Sequence, residues 1–109
     1  MNSRRNLTQE ELKLTRYLLS LIPDIKKEIP KKAWTMQDGQ MGSFSFNLDG
    51  EAEFGQVIVE AEFSDSDGVH VLITLTEDKN GNLFELDFWK TDFTKLAEFP
   101  KPEKINLVN

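Results

Sequence analysis

Pairs of carboxylates are the residues whose spacing in this chain best suits chemistry. Glu60 and Glu62, and likewise Glu85 and Asp87, are two positions apart in segments that alternate as β-strands do, so each pair shares one face of a sheet. Two neighbouring carboxylates can share a proton or hold Mg²⁺. On strand surfaces they are more often simply solvated, because charged side chains are mostly exposed. We therefore predict no metal site at these positions.

The sequence also lacks the parts that nucleophilic catalysis needs. His70 is the single imidazole, and no motif places Ser43, Ser45 or Ser64 beside it as a nucleophile. The absence of cysteine excludes thiolate chemistry and a disulfide framework. We expect His70 on a strand surface, no catalytic residue, no cofactor, and a protein that is not an enzyme.

Three polar loops match ligand-binding motifs only in part. Residues 65–68 and 78–82 lack the acidic spacing and the final glutamate of a calcium loop. Residues 38–43 contain two glycines, but they lack the lysine and the following helix of a phosphate-binding loop. The first two are typical of ordinary turns, in which Asp and Asn side chains bond the nearby backbone. Residues 38–43 are interpreted as a tight entry into the first strand.

Charge is distributed unevenly along the chain. Residues 36–90 contain twelve acidic and two basic side chains, whereas residues 1–35 contain eight basic and four acidic ones, and the formal net charge is −6. The acidic stretch also has the pattern of β-strands, so one face of the sheet must be strongly negative. Such a face repels the phosphates of nucleic acid and attracts basic proteins. We predict a basic protein partner and no binding to nucleic acid.

Length and composition fit one compact domain over residues 1–109, with 39% hydrophobic residues. No run of about 18 consecutive apolar residues indicates a membrane segment, and no apolar export signal follows Arg4 and Arg5. A chain without cysteine suits a reducing compartment. We expect a cytoplasmic protein without a membrane partner, in an oligomeric state that the sequence leaves open.

One helix is predicted near the N-terminus. Thr8 and Glu11 have the spacing of a capping box, and Pro23 ends the helix, which covers about residues 8–22. Its apolar side is predicted to comprise Leu12, Leu18, Leu19 and Ile22, with Thr15 or Tyr17 between them.

The expected fold is α+β: a four-stranded antiparallel meander covered on one face by the N-terminal helix. The alternating segments predict strands over about 43–48, 54–63, 69–77 and 83–90, with turns at Asp49-Gly50, 64–68 and Asn80-Gly81. The core under the helix is expected to contain Phe46, Val59, Ile73 and Leu86. The spacing of Phe93, Leu96 and Phe99 predicts a short C-terminal helical turn, after which Ile105 and Leu107 alternate in an extended tail.

The second face of this predicted sheet mixes carboxylates with apolar side chains. It holds Glu60, Glu62, Glu85 and Asp87 among Ile58, Leu72, Leu83 and Trp89. Apolar anchors surrounded by charge are common in protein interfaces. Two interpretations remain open: the face is exposed for a partner, or the C-terminal segment covers it through Phe93, Phe99 or Ile105.

Three motifs resemble those of a family of small uncharacterised bacterial proteins. The segment D-G-x-M-G-S occupies residues 38–43, the signature L-F-E-L-D-x-W-K-x-D-F occupies residues 83–93, and N-L-T-x-x-E opens the helix. The resemblance implies a bacterial origin and transfers no activity and no catalytic residue. By analogy, small acidic single-domain proteins of bacteria are often antitoxins or immunity proteins.

The leading hypothesis is a non-catalytic immunity or antitoxin protein that neutralises a basic toxin domain, with a nuclease as the favoured target. A nuclease presents cations to phosphate, and a carboxylate-rich surface mimics that substrate. The alternatives are a stand-alone structural or regulatory interaction domain and, third, an enzyme using carboxylates or a metal. The predicted partner-binding residues are Glu60, Glu62, Asp65, Asp67, Glu85, Asp87 and Trp89.

Overall fold

The computed structural model of the protein describes residues 3–23 and 25–108. In chain order the elements are β1 (Arg5–Asn6), α1 (Gln9–Ser20), β2 (Lys32–Thr35), β3 (Phe44–Ser45), β4 (Phe54–Ser64), β5 (His70–Asp78), β6 (Leu83–Lys90), a 3-10 helix (Pro102–Lys104) and β7 (Asn106–Leu107). No helix in the described part of the chain is long and apolar enough to cross a membrane.

The strands form one antiparallel sheet of seven strands in the order β1-β2-β3-β6-β5-β4-β7. The prediction of a four-stranded meander was therefore wrong. Only β4, β5 and β6 follow one another as a meander, joined by the turns at 65–69 and 79–82. The additional strands β1, β2 and β7 contain two to four residues each, too few for an alternating pattern to predict them.

Strand β3 pairs with β6 and not with β4, so the Asp49-Gly50 turn does not close the expected hairpin. Phe44 lies opposite Leu86, and the backbone N–H of Phe46 donates to the carbonyl of Phe84 at 2.8 Å. The hydroxyl of Ser43 accepts from the N–H of Phe88 at 2.8 Å. These contacts place β3 along the edge of β6, because a buried strand edge needs partners for its polar groups.

Helix α1 begins at the predicted capping box. The hydroxyl of Thr8 accepts from the N–H of Glu11 at 3.0 Å, and the Glu11 carboxylate accepts from the N–H of Thr8 at 2.9 Å. The guanidinium of Arg5 also donates to both oxygens of that carboxylate, at 2.7 and 2.9 Å. The fully buried side of the helix is formed by Leu14, Thr15 and Leu18, so the predicted apolar side was displaced by part of a turn.

The core lies between α1 and one face of the sheet, which we call the inner face. Phe46, Val59, Ile73 and Leu86 are all buried there, as predicted. Leu14 and Leu18 of the helix join the same cluster, together with Phe44, Leu75 and Phe88. Alternation along β4, β5 and β6 thus directs one apolar row of each strand toward the helix.

The C-terminal segment completes the cover of the inner face. Phe99 packs against Phe88 with ring centroids 5.6 Å apart, and Leu96 and Ile105 also contact the core. The helical turn predicted over residues 93–99 is absent, because the N–H groups of Ala97 and Glu98 donate to the side chain of Asp65 and not along a helix. The extended tail forms β7, in which Leu107 lies opposite Ala61.

Replacing Leu86, which is fully buried, with Ala should lower the free energy of unfolding by about 2 to 5 kcal/mol, because the missing methyl groups leave a cavity in the core. Urea unfolding followed by circular dichroism measures this change. The control is Leu72→Ala on the neighbouring strand, whose side chain is 38% exposed and should cost about 1 kcal/mol or less. Equal losses for the two variants would contradict the assignment of the faces.

Candidate functional site

The face of the sheet that points away from α1 is built by the register of β4, β5 and β6. Trp89 lies opposite Leu72, which lies opposite Glu62, and Asp87, Thr74 and Glu60 form the next row. Paired residues of antiparallel strands point to the same side of the sheet. We call this surface the outer face; it comprises Val57, Glu60, Glu62, Leu72, Thr74, Glu85, Asp87 and Trp89.

Two β-bulges change the membership of this face from what alternation predicted. An extra residue in β4 between Val57 and Val59 exposes Val57 and turns Ile58 toward the core. A second irregularity, opposite Leu75 and Glu77, reverses the faces to which the first side chains of β6 point, so Leu83 is buried. A bulge shifts the alternation by one residue. Ile58 and Leu83 were therefore assigned to the wrong face from the sequence.

The outer face is open over the described residues. The side chains of Leu72, Val57 and Trp89 are 38%, 41% and 49% exposed. Phe99 and Ile105 pack on the inner face, and only Phe93 reaches the outer side, where its ring meets Trp89 edge to face. Of the two interpretations that the sequence left open, the structure thus favours exposure of this face.

Glu85 and Asp87 form an interacting carboxyl pair in the middle of the outer face. Burial, the negative charge of Asp87 and a hydrogen bond between the two side chains raise the pKa of Glu85 to about 7. Burial also raises the pKa of Asp87, the hydrogen bond to Glu85 opposes that change, and the negative charge of Asp38 adds to it. Near neutral pH the pair therefore holds a proton for part of the time.

The backbone of this pair is fixed by its neighbours. The hydroxyl of Thr76 accepts from the N–H of Glu85 at 3.1 Å and donates to its carbonyl at 3.2 Å, which closes the bulge. Asp38, whose charge acts on Asp87, accepts from the N–H groups of Met41 and Ser43. The segment at 38–43 thus bends tightly into β3, which begins at Phe44, as predicted.

His70 lies at the exposed end of β5, on the strand surface. Its Nε2 atom is 2.7 Å from the Glu62 carboxylate, and both side chains are more than 40% exposed. Among residues 3–23 and 25–108, no three His, Cys, Asp or Glu side chains are grouped as metal ligands would be. The imidazole therefore bridges neighbouring strands at the rim of the outer face.

Asp65 and Asp67, two of the predicted partner-binding residues, lie elsewhere. The ammonium group of Lys90 is 2.8 Å from Asp65 and 2.5 Å from Asp67, and the side chains of Lys90 and Asp65 are fully buried. Lys90 also donates to the carbonyl of Lys95 at 3.0 Å. Asp65 is therefore an internal counter-ion that no partner can contact, and it does not belong to the outer face.

Electrostatics in this internal cluster favour the charged forms. Burial alone would raise the pKa of Asp65, but the hydrogen bonds from Lys90 and from the N–H groups of Ala97, Ser66 and Glu98 lower it overall. For Lys90 burial acts to lower the pKa, whereas Asp65 and Asp67 raise it overall. The ion pair stays charged inside the protein because every polar atom in it has a partner.

Five of the seven predicted partner-binding residues thus share the outer face, namely Glu60, Glu62, Glu85, Asp87 and Trp89. Sequence reasoning missed Val57 and the role of Lys90. A usable signal existed for Lys90: it follows Phe88 by two positions, and Asp65 follows Phe63 by two. Simple alternation places both on the inner face, where opposite charges must pair.

The family model for a domain of unknown function, DUF6984, matches residues 4–100. The chain belongs to this family. The match extends from β1 to Pro100, and so includes α1, the acidic strands and the Lys90 cluster. No curated protein and no solved structure matches the chain.

The carboxyl pair should make stability fall as pH rises. The folded-state pKa of Glu85, about 7, exceeds its ordinary value of 4.5, so the folded state binds that proton more tightly and its contribution is lost between these values. Glu85→Gln should flatten this dependence and raise the free energy of unfolding by on the order of 1 kcal/mol at about pH 8. Urea titrations at several pH values measure it, with Glu60→Gln as control; an unchanged slope would contradict the pair.

Lys90→Met should lower the melting temperature strongly, because it leaves the Asp65 carboxylate buried without its counter-ion. The matched control is Lys79→Met, which removes a lysine paired with Glu53 where both side chains are about two-thirds exposed and should change the melting temperature little. Differential scanning calorimetry compares the two. Similar small shifts would show that the buried ion pair does not hold the fold.

Proposed function

We propose that this protein is a non-catalytic acidic module that binds a basic protein through its outer face. The observation that supports this most directly is the arrangement of that face: Leu72, Val57 and Trp89 are each about two-fifths exposed or more, and they lie among four carboxylates. Exposed apolar groups with a polar surround mark interaction sites on protein surfaces.

The two kinds of side chain have separate roles in this proposal. Glu60, Glu62 and the Glu85–Asp87 pair attract a basic partner at long range and raise the rate of encounter. Trp89 and Leu72 lose water on contact and prolong the complex, because aromatic and aliphatic anchors at the centre of an interface contribute most to affinity. A cationic group of the partner placed beside the carboxyl pair would favour its charged form.

We further propose that the partner is a toxin domain, so that the protein acts in the cytoplasm as an immunity protein or antitoxin. The support is the acidic face itself, which presents to a nuclease the kind of charge that its phosphate-binding site recognises. A nuclease is for this reason the favoured toxin. The same outer face would also suit a stand-alone regulatory interaction domain with another basic partner.

One observation favours a second candidate function, acid–base catalysis by the carboxyl pair. The pKa of Glu85, about 7, suits proton transfer at neutral pH. Catalysis also requires a concave site that excludes water. A groove of about 610 Å³ lies on the far side of the sheet from this pair, and its lining includes Leu7, Leu12, Arg16, Lys27 and residues 29–31. The open setting of the pair therefore supports binding more than catalysis.

Affinity capture from the native host should yield a basic secreted domain. Sequencing of the neighbouring genes should find a gene that encodes such a domain. Binding kinetics by surface plasmon resonance then test the face. Glu60→Lys with Glu62→Lys should slow association and reduce its dependence on salt. The reason is that the variant removes charges that attract a basic partner over roughly one Debye length, which is about 10 Å at 0.1 M salt.

The matched control for this charge reversal is Glu28→Lys with Glu103→Lys, which changes the net charge equally at exposed positions outside the outer face. A second variant, Trp89→Ala, should mainly speed dissociation. If both charge-reversal proteins bind with the same rate constants, the acidic face is only a solvated surface and the proposed function is wrong.

A further inference from the structure

Phe93 has a backbone conformation that its residue type disfavours. Its φ of +64° lies in the left-handed region, and among the described residues Gln40, also at +64°, is the other non-glycine residue there. A bulky aromatic side chain in this region is strained, whereas glycine and asparagine adopt it readily. The turn itself, closed by donation from the N–H of Phe93 to the carbonyl of Lys90 at 2.9 Å, would accept either of those residues.

Packing in the core does not compensate for this strain in Phe93. The side chain is 65% exposed and lies outside the core cluster of the inner face. Its close aromatic contact is with Trp89, whose ring centroid is 5.0 Å away with the planes at 82°. An exposed aromatic residue kept in a strained conformation indicates a role in recognition, since strain of this kind is concentrated at functional sites.

The surroundings of the two rings favour a cationic ligand. Asp87 precedes Trp89 by two positions on the same face, which places the two side chains about 7 Å apart along the strand. Asp92 lies beside Phe93, with its pKa lowered by hydrogen bonds from the hydroxyl and N–H of Thr94. No lysine or arginine belongs to the outer face as the register defines it, so its exposed indole is free for a partner's cation.

We propose that Trp89 and Phe93 form the point at which a basic partner inserts an arginine, with the guanidinium group stacked on the indole and hydrogen-bonded to Asp87. This inference rests on the proposed function and names the chemistry of its partner. Arginine fits better than lysine because its planar group stacks on aromatic rings and donates two parallel hydrogen bonds to a carboxylate. The ring of Phe93 packs beside the indole and thereby orients the stacked guanidinium group.

Synthetic peptides of alternating arginine and serine, or of alternating lysine and serine, are the probes. Isothermal titration of the full-length protein should give tighter binding to the arginine peptide. Trp89→Ala should weaken that binding by about tenfold, the size expected for loss of one aromatic–cation contact. Phe93→Asn should weaken it as well, because the stacked group loses the ring that orients it. Phe93→Asn should leave the melting temperature at or above the wild-type value, because asparagine relieves the strain. Gln40→Asn relieves the same strain in an exposed turn and should leave peptide affinity unchanged.

Three outcomes would overturn the inference: no binding of the arginine peptide, equal affinity for the two peptides, or an unchanged affinity of Phe93→Asn. A marked fall in the melting temperature of Phe93→Asn would also overturn it, since Phe93 would then serve the fold. None of these outcomes tests whether the protein binds the partner captured from the native host. The association rates of the Glu60 and Glu62 charge-reversal protein test the proposed function separately.

Discussion

Lys90 ends the central strand β6 with its ammonium group wholly inside the protein, and the arrangement of the rest of the chain follows from the groups that neutralise it. Asp65 and Asp67 come from the turn between β4 and β5, and the carbonyl of Lys95 comes from the C-terminal segment. Asp65 in turn accepts from the N–H groups of Ala97 and Glu98. A buried charge without such partners would cost several kcal/mol, so this cluster binds the C-terminal segment to the inner face. Phe99 and Ile105 follow that segment into the core, and the outer face is left uncovered.

The open outer face has an energetic consequence. Four carboxylates share it, and no lysine or arginine of the face offsets them. Burial, the negative charge of Asp87 and the hydrogen bond between the two side chains raise the pKa of Glu85. A neutral side chain at that position would serve the fold better at alkaline pH. The same reasoning applies to Phe93, where asparagine would relieve a strained backbone. Two independent departures from what stability favours, one electrostatic and one conformational, thus fall on one side of the sheet. Proteins retain such departures mainly where they bind or react.

The sequence allowed the inner face to be predicted, because apolar residues recur at every second position through Val59, Ile73 and Leu86, and because α1 has its capping box. It did not allow the whole sheet to be predicted. Strands β1, β3 and β7 have two residues each and form only through tertiary contacts such as Phe44 with Leu86. Each bulge reverses the assignment of a residue to a face of the sheet. Val57 takes the place of Ile58 on the outer face, and Leu83 points toward the core. The acidic pairs could be predicted because residues two positions apart on a strand share a face, and no knowledge of the strand order is needed. Phe93 was misassigned, because the spacing of three between Phe93, Leu96 and Phe99 also occurs in a non-helical segment whose N–H groups donate to Asp65.

The distribution of charge between the two sides of the sheet completes this account. Lys13 and Arg16 are exposed on α1 together with Glu10, and Lys101 and Lys104 are exposed in the segment beside it together with Glu103, all on the side of the inner face. Lys27 and Lys90 are drawn into ion pairs with Glu77 and Asp65, so they do not reduce the negative charge of the outer face. The two sides of the sheet therefore differ in charge, with both signs around the helix and carboxylates on the open sheet. The proposed basic partner, approaching within about one Debye length, would be turned toward the outer face before contact. The long-range field and the exposed aromatic residues then act on the same surface, which is why that surface, and not the basic groove beside α1, is the better candidate for recognition of a basic protein.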